Sequence, residues 1–272
     1  MPIDIAALMG PVSEIAAEAG VRIMEIYATA FSVNEKDDNS PLTAADLAAH
    51  HTIVAGLQKL TPEIPILSEE SADIPFAERS QWKYFWLVDP LDGTKEFIKR
   101  NGEFTVNIAL IKGHEPVLGI VQVPVTGHRY LAAQGEGAFH QEPGETAQRI
   151  AVSSLPAGPV RVVGSRSHGG ESLTTFLARL GEHTLISIGS SLKFCLVAEG
   201  KADIYPRLGP TSEWDTAAAQ CIVEEAGGQV VATNGARLTY NTYNTKESLL
   251  NPHFLVFGDA SRDWLSYLSE QA

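Results

Sequence analysis

Asp89-Pro90-Leu91-Asp92-Gly93-Thr94 follows the apolar run Phe85-Trp86-Leu87-Val88, which has the length and content of a buried strand. Pro90 fixes its own φ and pushes Asp89 away from helix. Gly93 permits a tight turn. Such a turn brings two carboxylates together beside the Leu91 carbonyl, and hard cations such as Mg²⁺ take oxygen donors of this kind. Thr94 adds a hydroxyl. Aspartates flanking a Pro-Gly turn also occur simply to hydrogen-bond their own backbone, so the segment needs companions before it counts as a site.

Working outward, residues 64–67 form a short strand leading to Ser68-Glu69-Glu70. Residues 44–60 form a helix with Leu47, Ile53, Val54, Leu57 and Leu60 inward. Thr43 stands at its N-cap with Asp46 three residues on, a capping-box pattern, and Thr61-Pro62 ends it. Residues 3–29 carry Ile5, Leu8, Val12, Ile15 and Ile23 at helical spacing, and Gly10-Pro11 is expected to break or start that helix. Residues 34–40 read as a loop. Downstream, 105–111 and 117–123 are successive strands turning at Lys112-Gly113, and 130–133 and a strand near Ala138 continue the sheet. Pro143, Gly144, Pro156 and Gly158 mark a boundary, dividing the chain into 1–150 and 151–272. The second part alternates strand and helix: strands at 160–163, 184–187, near 202–205, 229–232 and 254–257, and helices at 171–180, 191–199 and 215–226. That alternation argues for an α/β layer.

The composition narrows the function classes. At 44% hydrophobic and 19% charged, the chain can build a full core. A net charge of −13 excludes a general binder of nucleic-acid polymer, and it would repel a phosphorylated substrate unless a divalent cation inverted the local field. Cys195 and Cys221 lie in apolar surroundings and read as buried structural thiols. The start, Met-Pro-Ile-Asp-Ile, lacks the basic and apolar runs of a signal peptide. No stretch approaches the roughly 18 apolar residues of a membrane span. A cytoplasmic location is therefore expected, with peripheral membrane contact left open.

Three acidic groups follow strands or open helices: Glu69-Glu70, Asp89 with Asp92, and Asp215. Strand-end loops are where sites gather in α/β folds. Each has a plainer reading. Glu69-Glu70 alone is a solvated pair, and Asp215, three residues after Ser212, completes a capping box. Rival motifs fail. A haloacid-dehalogenase phosphatase needs an aspartate two before Asp92, where Pro90 stands, and an EF-hand loop counted from Asp89 reaches Leu91 and Arg100 at ligand positions. There is no Walker loop, no Gly-x-Gly-x-x-Gly and no His-Glu-x-x-His.

Taken together, Pro41-Leu42-Thr43-Ala44-Ala45-Asp46, Leu67-Ser68-Glu69-Glu70, Asp89 to Thr94 and Trp214-Asp215-Thr216-Ala217-Ala218 resemble, in order and spacing, the inositol-monophosphatase-like superfamily of lithium-sensitive phosphatases. Lys95-Glu96-Phe97-Ile98, Asn101 to Asn107, Ser165-Arg166-Ser167-His168 and Gly189 to Cys195 are similar to its 3′(2′),5′-bisphosphate nucleotidase branch, the CysQ type, which acts in sulfur metabolism. The resemblance implies an α/β (α+β) layered αβαβα sandwich and two or three Mg²⁺ ions. It implies Glu69, Asp89, the Leu91 carbonyl, Asp92 and Asp215 as metal ligands. Asp46 and Thr94 would activate water, which Glu69 orients, and Gly93 and Thr94 would present backbone groups to the scissile phosphate. On this reading residues 1–150 carry most ligands, and 151–272 carry Asp215 and the nucleotide-side pocket.

A nucleoside bisphosphate brings a second phosphate. Lys193, Arg166, His168 and Arg207 are candidates to meet it, Arg as a fork and Lys as a point charge; each is otherwise ordinary solvated surface. Ser190 adjoins them, and Ser190 and Ser191 otherwise only cap the following helix. The expected activity is hydrolysis of the 3′-phosphate of adenosine 3′,5′-bisphosphate to AMP, with its sulfated relative as a further substrate. Inositol monophosphate or a sugar phosphate is the alternative substrate. A non-catalytic metal-binding protein is the alternative class, against which the Asp46–Thr94 pair speaks.

Overall fold

The Ala-rich N-terminal segment forms one helix, α1 (Ile5–Tyr27), in the computed structural model, which describes residues 3–29, 41–154, 158–164, 170–242 and 249–269. Asp4 caps it, its carboxylate accepting the Ala7 N–H at 3.1 Å. The expected break at Gly10-Pro11 does not occur. Both residues are exposed, so water can satisfy the carbonyl that Pro11 leaves unpaired, while the buried stripe Val12, Ala16, Ala19 and Ile23 runs on beyond them.

Helix α2 (Pro41–Leu60) begins earlier than residue 44. Proline suits the first helical position, where its fixed φ helps and its missing N–H is no loss. Thr43 therefore lies inside the first turn and is not the N-cap, so the proposed Thr43–Asp46 capping box is wrong. Residues 34–40 lie outside the described residues.

Strands β1 (Ile66–Ser68), β2 (Tyr84–Asp92), β3 (Thr105–Lys112), β4 (Glu115–Gln122), β5 (Arg129–Ala133), β6 (Gly137–Gln141) and β7 (Gln148–Ile150) form one sheet in chain order. β1 and β2 run parallel, and the remaining pairs are antiparallel. Strands β8 (Val160–Gly164), β9 (His183–Ser187), β10 (Ile204–Arg207), β11 (Gln229–Ala232) and β12 (Phe254–Phe257) form a second sheet, ordered β11-β12-β10-β8-β9. The chief helices of this half are α5 (Glu171–Leu180), α6 (Leu192–Ala198) and α7 (Ala217–Glu225); α3 (Phe76–Arg79) and α4 (Thr94–Ile98) are short.

Three apolar cores hold five layers together, the central one spanning both faces of the middle helices. Trp86, Val88, Ile108 and Ile120, on one face of the first sheet, pack against Ala16, Ile23, Ala49 and Ile53 of α1 and α2. The other face, through Leu87, Ala109 and Val121, meets α6 and α7, which also cover Tyr205, Val230 and Val256 of the second sheet. That sheet's far face, through Val162, Ile204 and Leu255, packs on Phe176 and Leu180 of α5 and on Trp264. The order is helix, sheet, helix, sheet, helix, as expected. Cys195 and Cys221 are free and buried in the central core.

Helix α7 sits very close to β4. A Cβ at Gly119 would stand 2.1 Å from the Ala218 carbonyl oxygen. Gly119→Ala is therefore expected to force α7 off the sheet and cost about 2–3 kcal/mol, the upper part of the range for overpacking. A lower urea midpoint at unchanged m checks it.

Candidate active site

Strand β2 does not end at Val88 but runs on through Asp92. Its pairing sets Asp89 opposite Asn107 and Asp92 opposite Thr105, so three steps on β2 match two on β3. This is a bulge. In a regular strand, residues three apart face opposite sides of the sheet; the extra residue cancels the alternation and turns both aspartates the same way. Pro90, which cannot donate to a ladder, falls where the ladder is interrupted. Within the bulge the Leu91 N–H donates to Asp89 Oδ1 at 3.0 Å. Gly93 then takes φ +105° and leads into α4; a Cβ there would be strained and 3.2 Å from the Glu103 carbonyl oxygen.

Asp215 arrives from the other half, closing a 3-10 turn (Glu213–Asp215) before α7. The Ser212 N–H donates to Asp215 Oδ2 at 2.9 Å, so the expected capping bond forms. Asn251 Nδ2 donates to the Ser212 carbonyl at 2.7 Å and fixes the turn from outside. Behind it, buried Glu213 accepts the Asn241 N–H at 2.8 Å. Asn241 is clasped by buried Arg79 through bonds of 2.6 and 2.7 Å.

These supports bring carboxylate oxygens of Asp89, Asp92 and Asp215 within 4.8 Å of one another. Glu69, opening the 3-10 turn Glu69–Ser71 after β1, stands close enough to Asp89 for its charge to raise that carboxylate's proton affinity. Asp46 faces the same group from α2. Burial first, and then the neighbouring carboxylates, push Asp46 up to about 8 and Glu69 and Asp215 to about 7, and hold Asp89 well above the carboxylate range. Among the described residues no Lys or Arg forms an ion pair with Asp89, Asp92 or Asp215. A close, oxygen-only donor set short of positive charge fits a hard divalent cation.

Beside the acids opens a cavity of about 300 Å³, lined by Asp92, Gly93, Thr94, Lys193, Tyr205 and Arg207 among others. Lys193 is buried; its ammonium donates to the Ser190 carbonyl at 2.6 Å and lies 5.5 Å from the Tyr205 ring centre. Burial pushes it down to about 8, with Asp92 pulling the other way. Arg207 Nη2 donates to the Pro210 carbonyl at 2.6 Å, while its buried Nε has no partner among the described residues. Ser190 also lines the cavity, at φ +46°. Arg166 and His168 lie outside the described residues.

The profile of the inositol monophosphatase family matches residues 7–254. The chain belongs to that family. It is 53% identical over 252 residues, 92% of this chain and 99% of the relative, to the 3′(2′),5′-bisphosphate nucleotidase CysQ of Salmonella typhimurium. It is 41% identical over 258 residues, 94% of each chain, to the protein of the same name from Aggregatibacter actinomycetemcomitans. The crystal structure of CysQ from Bacteroides thetaiotaomicron superposes with a TM-score of 0.84 at 44% identity, covering 93% of this chain and 97% of that one.

Within this inositol monophosphatase fold, the structure adds two residues to those expected from sequence. Asn107 Nδ2 donates to Ser191 Oγ at 2.9 Å, and that hydroxyl lies 2.8 Å from both Asp92 Oδ2 and the Asp215 carbonyl. Ser191 therefore joins the acids of the two halves. The expected helix-capping bond from its side chain is absent, because the hydroxyl is turned inward to this junction. Ser191→Ala should strand the Asn107 amide and loosen Asp92. Turnover should fall about 10- to 100-fold, as for other partners of metal ligands, and steady-state kinetics beside a melting curve would check it.

Proposed function

We infer that this chain is a Mg²⁺-dependent phosphoric monoester hydrolase that removes the 3′-phosphate of adenosine 3′,5′-bisphosphate to leave AMP. The reading rests on one juxtaposition. An uncompensated carboxylate group stands at the mouth of a cavity whose other wall carries Lys193 and Arg207. A cation on the acids and fixed cations beyond them suit a small molecule with two phosphates. The relatives' name, 3′(2′),5′-bisphosphate nucleotidase, supports that substrate.

Glu69, Asp89, the Leu91 carbonyl, Asp92 and Asp215 would hold the metal. Bound Mg²⁺ supplies Lewis-acid charge for phosphate oxygens and makes water acidic enough to attack. The chain's own residues do the rest. The Thr94 hydroxyl accepts the proton of the attacking water and passes its own to the Asp46 carboxylate, which serves as base once the charge of the bound cation offsets the burial and the neighbouring carboxylates that raise its proton affinity. Glu69 orients that water, and the Gly93 and Thr94 backbone meets the scissile phosphate. Lys193, Ser190 and Arg207 receive the second phosphate, with Arg166 and His168 assigned beside them by resemblance; an anion there offsets the desolvation that lowers the Lys193 ammonium. The same reading places the enzyme in the cytoplasm, with peripheral contact at the membrane's inner face left open. No helix among the described residues is long and apolar enough to cross a membrane.

Phosphate release from adenosine 3′,5′-bisphosphate, measured with and without Mg²⁺ beside inositol 1-phosphate, tests this. Preference for the nucleotide that vanishes on chelation is expected. Preference for inositol 1-phosphate would overturn the nucleotide pocket, and no turnover of either would overturn the hydrolase.

A further inference from the structure

Three nitrogen and oxygen donors converge toward the other edge of the first sheet, on the face that also carries Asp89 and Asn107 but several strands away from the acidic group. His128 precedes β5, His140 lies on β6 and Glu142 follows it. His128 Nδ1 is 2.9 Å from His140 Nε2, and one ligand atom from each of His128, His140 and Glu142 lies within 4.8 Å of the others. The His140 ring is held in plane by its cross-strand partner Tyr130, stacked at 4.6 Å and 15°. Tyr130 is itself anchored through its hydroxyl to Glu199.

Two ring nitrogens at 2.9 Å cannot both carry protons, so the pair keeps at least one bare lone pair directed at its neighbour. A tetrahedral ion with metal–nitrogen bonds of about 2.0–2.1 Å places two imidazole nitrogens about 3.3 Å apart. To admit one, the rings need to part by a few tenths of an ångström and tilt so that both lone pairs converge beside the line joining the two nitrogens. We propose that His128, His140 and Glu142 form a second metal site, for a borderline divalent transition ion of the Zn²⁺ class. Two imidazoles and a carboxylate are a donor set that Zn²⁺, Ni²⁺ and Cu²⁺ take, whereas Mg²⁺ takes oxygen alone. β5 stands three strands from β2, about 14 Å at the usual strand spacing, so the two sites share no ligand. Glu142 is exposed, so the bound ion keeps open positions toward solvent and exchanges readily.

The test is Zn²⁺ titration by calorimetry on the intact chain in excess Mg²⁺, with Cu²⁺ as a spectroscopic probe. Wild type and Asp92→Asn should each bind one Zn²⁺ outside the acidic group. His140→Gln should weaken that binding by more than about 100-fold, beyond what loss of an outer partner costs. Glu142→Gln, an exposed change that leaves packing alone, should weaken it at least about tenfold. The Cu²⁺ electron paramagnetic resonance spectrum should show coupling to two nitrogens, reduced to one in His128→Gln. Zn²⁺ affinity unchanged by both His140→Gln and Glu142→Gln would overturn the proposal, as would a Cu²⁺ signal free of nitrogen coupling.

Discussion

Asp92→Asn lowers kcat/KM by more than about 100-fold, the most that loss of a metal ligand's outer partner costs, and leaves the protein folded. Asp92 is the junction of the site: its carboxylate lies with those of Asp89 and Asp215, borders the cavity and accepts from Ser191. Asparagine keeps the shape and can still accept that bond through its own oxygen, so the Ser191 junction survives. What disappears is one negative charge among carboxylates that repel one another. Without metal the variant should therefore melt no lower than wild type, while turnover collapses. Near-normal turnover would remove Asp92 from the metal site; collapse of both turnover and melting temperature would make its role structural.

Chelated wild-type protein should lose thermal stability as pH rises from 5 to 8.5, by on the order of 10 °C. Asp46, Glu69 and Asp215 hold their protons up to about 8, 7 and 7 in the folded chain, against 3.8, 4.5 and 3.8 for the free groups. Protonation therefore favours the folded state. That contribution is fully present below about pH 4 and is lost as pH climbs through the folded values of 7 to 8. Mg²⁺ takes the place of the protons, so the stabilisation it gives should be larger at pH 8.5 than at pH 5. Melting curves in EDTA and in Mg²⁺ at the two pH values decide it; an EDTA melting temperature that is flat or rising over this window would mean the acids do not crowd one another as the structure has them.

Much of the fold was legible because local chemistry and packing agree. The alternation after residue 160 is built from strands and helices short enough for their ends to be marked by Gly and Pro, and Asp92, at the end of β2, and Asp215, just before α7, stand at element ends. Pro11 misled because its cost depends on whether water reaches the freed carbonyl, which tertiary placement decides. Thr43 misled because Pro41 starts the helix sooner than the hydroxyl could cap it. The bulge that turns Asp89 and Asp92 together follows from registry with Asn107 and Thr105, partners many residues away. Ser191 was invisible as a junction for the same reason. A serine before a helix looks like a cap, and only the approach of β3 on one side and the Asp215 turn on the other gives its hydroxyl another task.

The order of strands in the second sheet has a consequence for how the chain is made. β12, the last strand in sequence, lies between β11 and β10 and pairs with both. Until residue 257 has left the ribosome, that sheet lacks an interior member and the central helices lack one of their two floors. Asp89 and Asp92 are synthesised long before Asp215 is clamped beside them. A nascent chain is thus a poor cation trap and an idle catalyst, and competence should arrive in a single step once β12 has emerged.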